Sequence, residues 1–500
     1  MGRHRQQVPL ADRQRRDTAR ASDHRRYAPV EPGRENPPPL RRQRRRLPVP
    51  AYRAAVSEVR TIARHAGTVL VGQLAVMAFG VTDTIVAGRY SERALAALSV
   101  GSAVYITFFV AMMSVLQALL PVWAELHGGK RNEELGRSVR QALYLAAIGS
   151  ILGCTALFFP GPLMRWTQVP PIVQQDVEGY LMVLALAMPP ALLFRMYSTL
   201  NQSLGKPQLV TWLQALSLLA KIPLTIWFAF GGLGLPAMGA VGCAWATVVV
   251  TYALLICSTW LVRTQPLYKP YAIWRRVERP HWPTIAEFAR LGIPGGLAVM
   301  VEVTSFTLMA LFIARQGAVA SGAHQIAANL AAVLYMVPLS LGISTSARVS
   351  FWLGAGDGKQ ARHAVRTGLK MGLGMALALA AALALGRGQI AAIYSTNAAV
   401  VAMATALLGW LALYHVGDAT QGIVVFLLRS YRVTIAPLVA YCLLLWGVGL
   451  AGGYALAYEG LGAFAAQNSP VAFWQGGAFA LWLLGAILAF MLWRAVRANR

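Results

Sequence analysis

Residues 433–457 read VTIAPLVAYCLLLWGVGLAGGYALA, an apolar run that contains no charged side chain. A helix needs about 20 mostly apolar residues to cross the hydrocarbon core of a bilayer. The rest of the chain has the same character, since 57% of its 500 residues are apolar and only 13% are charged. Soluble domains carry about a quarter charged residues. The composition therefore excludes a soluble enzyme, a fibrous protein and a fully disordered chain, and it predicts an all-α membrane protein.

Eleven further runs of this kind bring the number of predicted transmembrane helices to twelve. The longest hydrophilic connection, 263–285, follows the sixth run, so we expect an N-terminal six-helix bundle at 61–262, a cytoplasmic linker and a C-terminal six-helix bundle at 286–500. The predicted spans are 65–88, 95–121, 138–160, 177–198, 208–230, 238–262, 286–314, 318–346, 366–386, 400–428, 433–457 and 472–493.

An internal repeat supports the division into two bundles. Residues 94–145 resemble residues 319–370 at an offset of about 225, with Gly129 aligned on Gly354. Both copies begin with a helix of small residues and end in a Gly-rich turn before a basic helix start. Because six spans separate the copies, both cross the membrane in the same sense. This pattern predicts two bundles related by a pseudo-two-fold axis along the membrane normal, as in secondary transporters.

The distribution of basic residues predicts the orientation. The loops after even-numbered spans, with the C-terminus, hold 22 Lys and Arg, whereas the loops after odd-numbered spans hold five. Loops rich in Lys and Arg stay on the cytoplasmic side. We therefore expect both termini to be cytoplasmic.

Residues 1–60 contain 16 Arg, no Lys and several prolines, which predicts a disordered, Arg-rich cytoplasmic tail. Contact of this tail with anionic membrane lipids is favoured over nucleic-acid binding, because nothing beside it forms a reader module. We expect no specific nucleic-acid partner. A solvated tail without a partner, or a wrongly chosen start codon, is the alternative.

Charged residues inside the spans are the most informative part of the sequence, because each costs about 2.5–3.5 kcal/mol at the bilayer centre. Of the 19 acidic residues, only Asp83, Glu302 and Asp418 lie well inside a span, and Lys221 is the one cation predicted there. Asp83 could pair with Lys221 as a purely structural contact. The second half offers no such cation, so Glu302 and Asp418 are expected to bind a mobile one, Na⁺ or H⁺.

Polar neighbours on the same helix faces extend this prediction. Tyr414, His415 and Gln421 lie one turn from Asp418 on one side of its helix, and Gln73 shares the face of Asp83. A Na⁺ site needs hard oxygen ligands, whereas a proton site needs only a carboxylate. We expect no cofactor and no permanently bound metal, with Na⁺ or H⁺ as a transient ligand of Glu302 and Asp418. The candidate cation-coupling residues are Glu302, Asp418, Tyr414 and Asp83, and the candidates for the substrate cavity are Gln73, Gln421, Lys221, Ser305 and His415.

With these residues in place, the chain resembles the multidrug and toxic compound extrusion (MATE) family, in particular its bacterial NorM-like branch. The resemblance covers roughly residues 65–435. It rests on Asp83-Thr84 with Gly88 and Leu95-Ala96-Ala97, on 238–247 (MGAVGCAWAT), on Leu291-Gly292-Ile293-Pro294 followed by Glu302, on 322–329 (GAHQIAAN), and on Asp418-Ala419-Thr420-Gln421 followed by Leu428-Arg429.

This resemblance implies two lobes around a V-shaped cavity and the export of cationic or polyaromatic compounds in exchange for Na⁺ or H⁺. It also implies that Asp83 is the acid of the first lobe and that Glu302 and Asp418 form the cation site of the second. Relatives commonly carry Asn at the positions of Lys221 and Thr225. A lysine there would be a built-in counter-ion for Asp83, which favours ion coupling in the second lobe.

The sequence thus predicts a cation-coupled antiporter of the bacterial inner membrane, not an enzyme, that exports amphipathic cationic or polyaromatic drugs. We expect a monomer in contact with membrane lipids. The alternative is a flippase for lipid-linked precursors with a related two-lobe fold, although three acids against one lysine argue against a pyrophosphate cavity. A channel is a further alternative. An intramembrane enzyme would need a nucleophile–base pair or a metal set, and no such motif occurs in the spans.

Overall fold

The computed structural model describes residues 51–161, 171–232, 234–275, 278–460, 462 and 465–499. Within these residues, twelve helices are long and apolar enough to cross a membrane, which confirms the predicted number of spans. They are α1 (Ala51–Tyr90), α2 (Glu92–Gly128), α3 (Asn132–Phe158), α4 (Pro171–Ser203), α5 (Gln208–Phe230), α6 (Gly239–Thr264), α7 (Trp282–Ala314), α8 (Ala318–Gly354), α9 (Gly358–Tyr394), α10 (Ala398–Ser430), α11 (Ile435–Glu459) and α12 (Val471–Ala498).

Helix α1 begins at Ala51, inside the stretch for which composition predicts a disordered tail. The other residues of that predicted tail, 1–50, lie outside the described residues. The early start has a physical reason further along the helix. The carboxylate of Glu58 is buried and accepts two hydrogen bonds from Arg348 on α8, at 2.7 Å from Nε and 2.9 Å from Nη2. This bidentate pair anchors the first turns of α1 to the second half of the chain.

The helix pairs of the first half recur in the second half. In the first half, α4 packs against α2 and α6, and in the second half α10 packs against α8 and α12. The contacts between the halves are also reciprocal, because α1 packs on α8 as α7 packs on α2. Each half has its own cluster of buried apolar side chains. The structure therefore confirms two six-helix bundles related by a pseudo-two-fold axis.

The two bundles approach most closely where α2 and α8 end. A Cβ atom on Gly128 would lie 1.9 Å from the carbonyl oxygen of Phe351, and one on Gly354 would lie 1.8 Å from the carbonyl oxygen of Glu125. Gly128 and Gly354 are 226 residues apart, so the structural equivalence is shifted by one residue from the alignment of Gly129 on Gly354 in the sequence repeat. Only glycine permits this backbone-to-backbone contact.

Ion pairs cross between the bundles at this same end. The guanidinium of Arg432, which follows α10, donates to the carboxylate of Glu125 near the end of α2, with Nη2 and Oε2 2.7 Å apart. Together with Glu58 and Arg348, this pair connects the first half of the chain to the second beside the glycine contact.

The connection between the bundles is held against the first half. It contains a short 3₁₀-helix, Pro266–Tyr271, in which Tyr268 and Tyr271 are buried. Further along, the carboxylate of Glu278 accepts hydrogen bonds from Arg140 and Arg137 of α3, at 2.7 and 2.8 Å. Both bonds lower the pKa of Glu278 below its usual value, and the bond from Arg140 has the larger effect. Since the folded-state pKa is lowered, this stabilisation is present at neutral pH and is lost when the pH falls through that lowered value.

Helix α11 departs from regular α-helical geometry. Its first turns, Ile435–Tyr441, are α-helical, whereas Cys442–Ala451 and Ala455–Glu459 have the wider π-helical hydrogen-bonding pattern. Such segments are rare and often lie beside functional sites. The change begins directly after Tyr441, whose side chain belongs to the polar cluster described below.

We expect Gly354→Ala to lower the melting temperature of the detergent-solubilised protein by several degrees. The new methyl group would meet backbone rather than a movable side chain, and overpacking of this kind costs about 1–3 kcal/mol.

Gly374→Ala in α9 is the matched control, because nothing lies within 4 Å of the added Cβ. It should leave the melting temperature unchanged or raise it slightly, since alanine favours helix by about 0.5–1 kcal/mol over glycine. Equal melting temperatures for the two variants would contradict the close approach of α2 and α8.

Candidate functional site

The acid of the first bundle is paired. Asp83 on α1 and Lys221 on α5 form an ion pair, with Nζ and Oδ1 2.9 Å apart. Lys221 is fully buried, and Asp83 is 8% exposed. The pairing that the sequence suggested for these two residues is confirmed.

Neighbouring groups complete the coordination of this pair. The ammonium of Lys221 also donates to the hydroxyl of Thr247 at 2.8 Å and lies 5.7 Å from the centre of the Phe79 ring. The hydroxyl of Thr225 donates to Asp83 at 3.4 Å. A buried charge pair persists when geometry and extra hydrogen bonds offset its desolvation. The first bundle therefore already contains the cation that neutralises its acid.

The acid of α10 has a different environment. Asp418 is 5% exposed and accepts a hydrogen bond from the side-chain amide of Gln421, 2.9 Å away. The amide oxygen of Gln421 in turn accepts a hydrogen bond from the hydroxyl of Tyr441 on α11. These are neutral partners. They orient the carboxylate of Asp418 and leave its negative charge uncompensated.

Glu302 on α7 brings a second negative charge to the same place. Glu302 is only partly buried, and it lies within electrostatic range of Asp418. In the described part of the chain, neither acid forms an ion pair with Lys, Arg or His. Three tyrosines from three helices lie within electrostatic reach of both acids: Tyr335, Tyr414 and Tyr441. We call these five residues the acid–tyrosine cluster.

Aromatic rings close the cluster on one side. The ring of Phe306, one turn after Glu302, lies 6.0 Å from that of Tyr414 and 6.3 Å from that of Trp474 on α12. The hydroxyl of Ser305, next to Phe306, is buried and has no hydrogen-bond partner among the described residues. It is an oxygen that a ligand could use, three residues from Glu302 on the same helix face.

The other two candidates for the cavity take part in none of these contacts. His415 is 1% exposed, and its Nε2 atom has no hydrogen-bond partner among the described residues. Gln73 lines a small cavity with Arg195, Gln202 and Gln214, on the helix about 15 Å before Asp83. Gln73 therefore belongs to a different polar group from the Asp83 pair.

One expectation from the sequence is wrong. The second half does contain a buried cation, because Arg429 is 6% exposed and lies inside α10, which continues to Ser430. The predicted tenth span, 400–428, ends one residue before it and leaves it in the following loop. Its charge acts on Tyr335 and Tyr441 but forms no ion pair with either acid. It lies eleven residues after Asp418 on the same helix face, about 16 Å further along.

Lys221 is likewise not the only buried cation of the first half. Arg140 and Arg195 are 5% and 7% exposed, and Arg195 donates a hydrogen bond to Gln117 on α2. Both arginines lie near the end of a predicted span, 138–160 or 177–198, where a basic residue is expected to face the aqueous boundary.

Sequence reasoning also missed Tyr335 and Tyr441. Each is one aromatic residue within an apolar span, which on its own is typical of packing. The signal is spatial, because α8 and α11 bring the two hydroxyls to the acids of α7 and α10.

The cluster can bind one small cation between two carboxylates. The oxygens available around it are those of the acids, the tyrosines, Gln421 and Ser305, all of which are hard ligands. No group of three or more His, Cys, Asp or Glu residues with metal-binding geometry occurs in the described residues.

Comparisons with known proteins place this chain in a family. The MatE family model matches residues 69–227 and 294–455, which is more than half of the chain. A probable multidrug resistance protein NorM of Aromatoleum aromaticum is 34% identical over 448 residues, covering 89% of this chain and 96% of the relative. The multidrug resistance protein PmpM of Pseudomonas aeruginosa is 33% identical over 446 residues, covering 89% and 92%.

Solved structures show the same fold. The eukaryotic MATE transporter AtDTX14 superposes with a TM-score of 0.79 at 18% identity, covering 89% of this chain and 99% of that one. The Vibrio cholerae MATE transporter VcmN superposes with a TM-score of 0.80 at 16% identity, covering 89% and 98%.

We expect Lys221→Asn to destabilise the protein strongly, because it leaves Asp83 buried without a counter-charge. Removing one partner of a buried pair costs about 3–5 kcal/mol. The double variant Asp83→Asn/Lys221→Asn removes both charges and should recover most of that loss. Thermal unfolding in detergent measures both changes. If the double variant is no more stable than Lys221→Asn, the two residues do not compensate each other.

Proposed function

The chain belongs to the MatE family, whose members are transporters and not enzymes, and from this premise we propose that it is a multidrug exporter coupled to Na⁺ or H⁺ entry. The exported compounds are amphipathic cationic or polyaromatic drugs. The coupling cation binds at Glu302 and Asp418 in the second bundle, with Tyr414 beside them. No enzymatic step and no cofactor is needed.

The observation that carries this proposal is the contrast between the two bundles. Asp83 is neutralised by Lys221 at 2.9 Å, a group that the chain always carries. Glu302 and Asp418 repel each other and have no ion-pair partner among the described residues. Two carboxylates in such surroundings cannot both stay charged without a cation. Binding a mobile cation removes the electrostatic cost of two neighbouring negative charges. The energy of the cluster therefore depends on whether the ion is bound.

Exchange follows if the cluster has different affinities in the two transport states. A ligand shifts a conformational equilibrium only by its differential affinity for the two states. Acids on α7 and α10 and a tyrosine on α11 belong to one bundle, so rearrangement of α7 or α11 against α10 changes the distance between the charges. We propose that Na⁺ or H⁺ occupies the cluster in one state and that the drug leaves when the acids are neutralised.

The same groups explain the class of drug. Uncompensated carboxylates attract a cationic head, and aromatic rings bind flat apolar bodies and cations on their faces. Phe306, Tyr414 and Trp474 provide such rings next to the acids. A cationic drug and the coupling ion would then compete for the same negative charge.

The surrounding organisation is part of the proposal. We place the protein in the bacterial inner membrane as a monomer, with both termini in the cytoplasm, because the loops after even-numbered spans carry most of the basic residues. The bundles 61–262 and 286–500 act as the two moving lobes, joined by the cytoplasmic linker 263–285.

Ethidium efflux from cells or from inverted membrane vesicles tests this function, with Na⁺ and pH gradients imposed separately. In the wild type, one of the two gradients should drive efflux. Glu302→Gln and Asp418→Asn should each lower the gradient-driven rate about tenfold or more, since an interaction with a charged group is worth about 1.5–3 kcal/mol.

Glu287→Gln is the matched control, because Glu287 lies on the same helix as Glu302 but is exposed. It should keep the wild-type rate at equal expression. Efflux that neither gradient drives, or that survives both cluster variants, would refute the coupling site. The identity of the effective gradient decides between Na⁺ and H⁺.

A further inference from the structure

A second polar cavity lies between the two bundles, away from the acid–tyrosine cluster. It has a volume of about 410 Å³ and is bordered by the first half of α1, the end of α2, the connection from α4 to α5, and the last turns of α8. It opens at the end of the molecule where Gly128 and Gly354 meet the opposite bundle. The orientation proposed above makes this the cytoplasmic end.

The walls of this cavity are strongly basic. Its lining contains Arg60, Arg64, Lys206 and Arg348 and no acidic residue. Arg348 is balanced by Glu58, which lies behind it. The other three cations form no ion pair with any described residue. A concave site lined by charges of one sign concentrates its field and attracts ions of the opposite sign.

Two further features supply uncompensated hydrogen-bond donors or acceptors. The Nε2 atom of His65, another lining residue, is buried and has no hydrogen-bond partner among the described residues. Helix α5 begins at Gln208 on the cavity wall, and no side chain caps its first turn. The free N–H groups and the dipole at a helix N-terminus favour an anion.

The position and size of the cavity indicate which anion it receives. Basic pockets between transmembrane helices at the cytoplasmic surface bind the headgroups of anionic phospholipids. A volume of about 410 Å³ exceeds that of a few waters and suits a phosphate with its glycerol. The Arg-rich residues 1–50 carry the same sign of charge as the walls, so they are unsuited to fill it.

We propose that this cavity binds the phosphate group of an anionic phospholipid, between Arg64 of α1 and Lys206 before α5. Because α8 contributes Arg348 to the same cavity, a bound phosphate contacts both bundles. The lipid thereby stabilises the arrangement in which the bundles meet at this end. The cavity shares no lining residue with the acid–tyrosine cluster, so this proposal does not depend on where the coupling site lies.

The test measures the melting temperature of the purified protein in detergent as phosphatidylglycerol is added. We expect a rise of several degrees for the wild type and a much smaller rise with zwitterionic phosphatidylethanolamine. Arg64→Gln/Lys206→Gln should lose most of the rise. Arg366→Gln/Lys370→Gln removes the same two charge types from exposed positions on α9 outside the cavity and should keep it.

A parallel titration with glycerol 3-phosphate or inorganic phosphate identifies the source of the ligand. If either gives the full rise, the cavity is still an anion site, but its ligand is a soluble phosphate. Arg64→Lys/Lys206→Arg keeps the charges and should keep the response. If the cavity and control variants respond alike, or if the two lipids act alike on the wild type, the proposal is wrong.

The melting temperature without lipid shows whether each variant folds. Should the double cavity variant not purify, Lys206→Gln against Lys370→Gln gives the same comparison, because Lys206 lies in an exposed loop. No transport measurement is involved, so the result is independent of the ethidium experiment.

Discussion

The structure depends on how carboxylates are accommodated away from water. A buried negative charge is tolerated only if a permanent cation, a proton or a mobile ion compensates it. This chain uses two solutions. In the first bundle the counter-charge is Lys221, which is held in place by its own helix. The charge of Asp83 is therefore already compensated in the folded protein. In the second bundle no described Lys, Arg or His pairs with Glu302 or Asp418, and under the proposed function a mobile ion supplies the compensation.

These two solutions stand on a scaffold that is nearly symmetric. The packing pairs of α1–α6 recur in α7–α12, and Gly128 and Gly354 repeat at an offset of 226 residues. The polar groups do not follow this symmetry. At the same offset, the counterpart of Lys221 is Gly447, which lies in the π-helical part of α11. One copy of the fold has thus gained a fixed charge where the other has an irregular, uncharged helix. The repeat preserves the contacts needed for packing and leaves the chemistry of each bundle free to differ.

The sequence alone was sufficient to predict the features of the fold that follow from hydrophobicity and residue spacing. Twelve spans followed from the apolar runs, the two bundles from the long connection and the internal repeat, and the Asp83–Lys221 pair from the rarity of charge inside the spans. It could not reveal Tyr335 and Tyr441, because their role arises only when separate helices converge. Arg429 was assigned to a loop because its helix continues past the apolar run. Arg348 pairs with Glu58 of α1 across 290 residues of sequence, and no local pattern reports such a partner.

The contact between α2 and α8 has a consequence for how the bundles separate. The contact joins glycine to backbone carbonyl groups, so no long side chain can bridge the gap when α2 and α8 move apart. The van der Waals attraction falls steeply within the first ångström of separation. A small parting of the helices therefore loses this contact entirely, and half-open arrangements gain nothing from it. The contact is therefore either fully formed or lost, which favours two distinct arrangements of the bundles over intermediate ones.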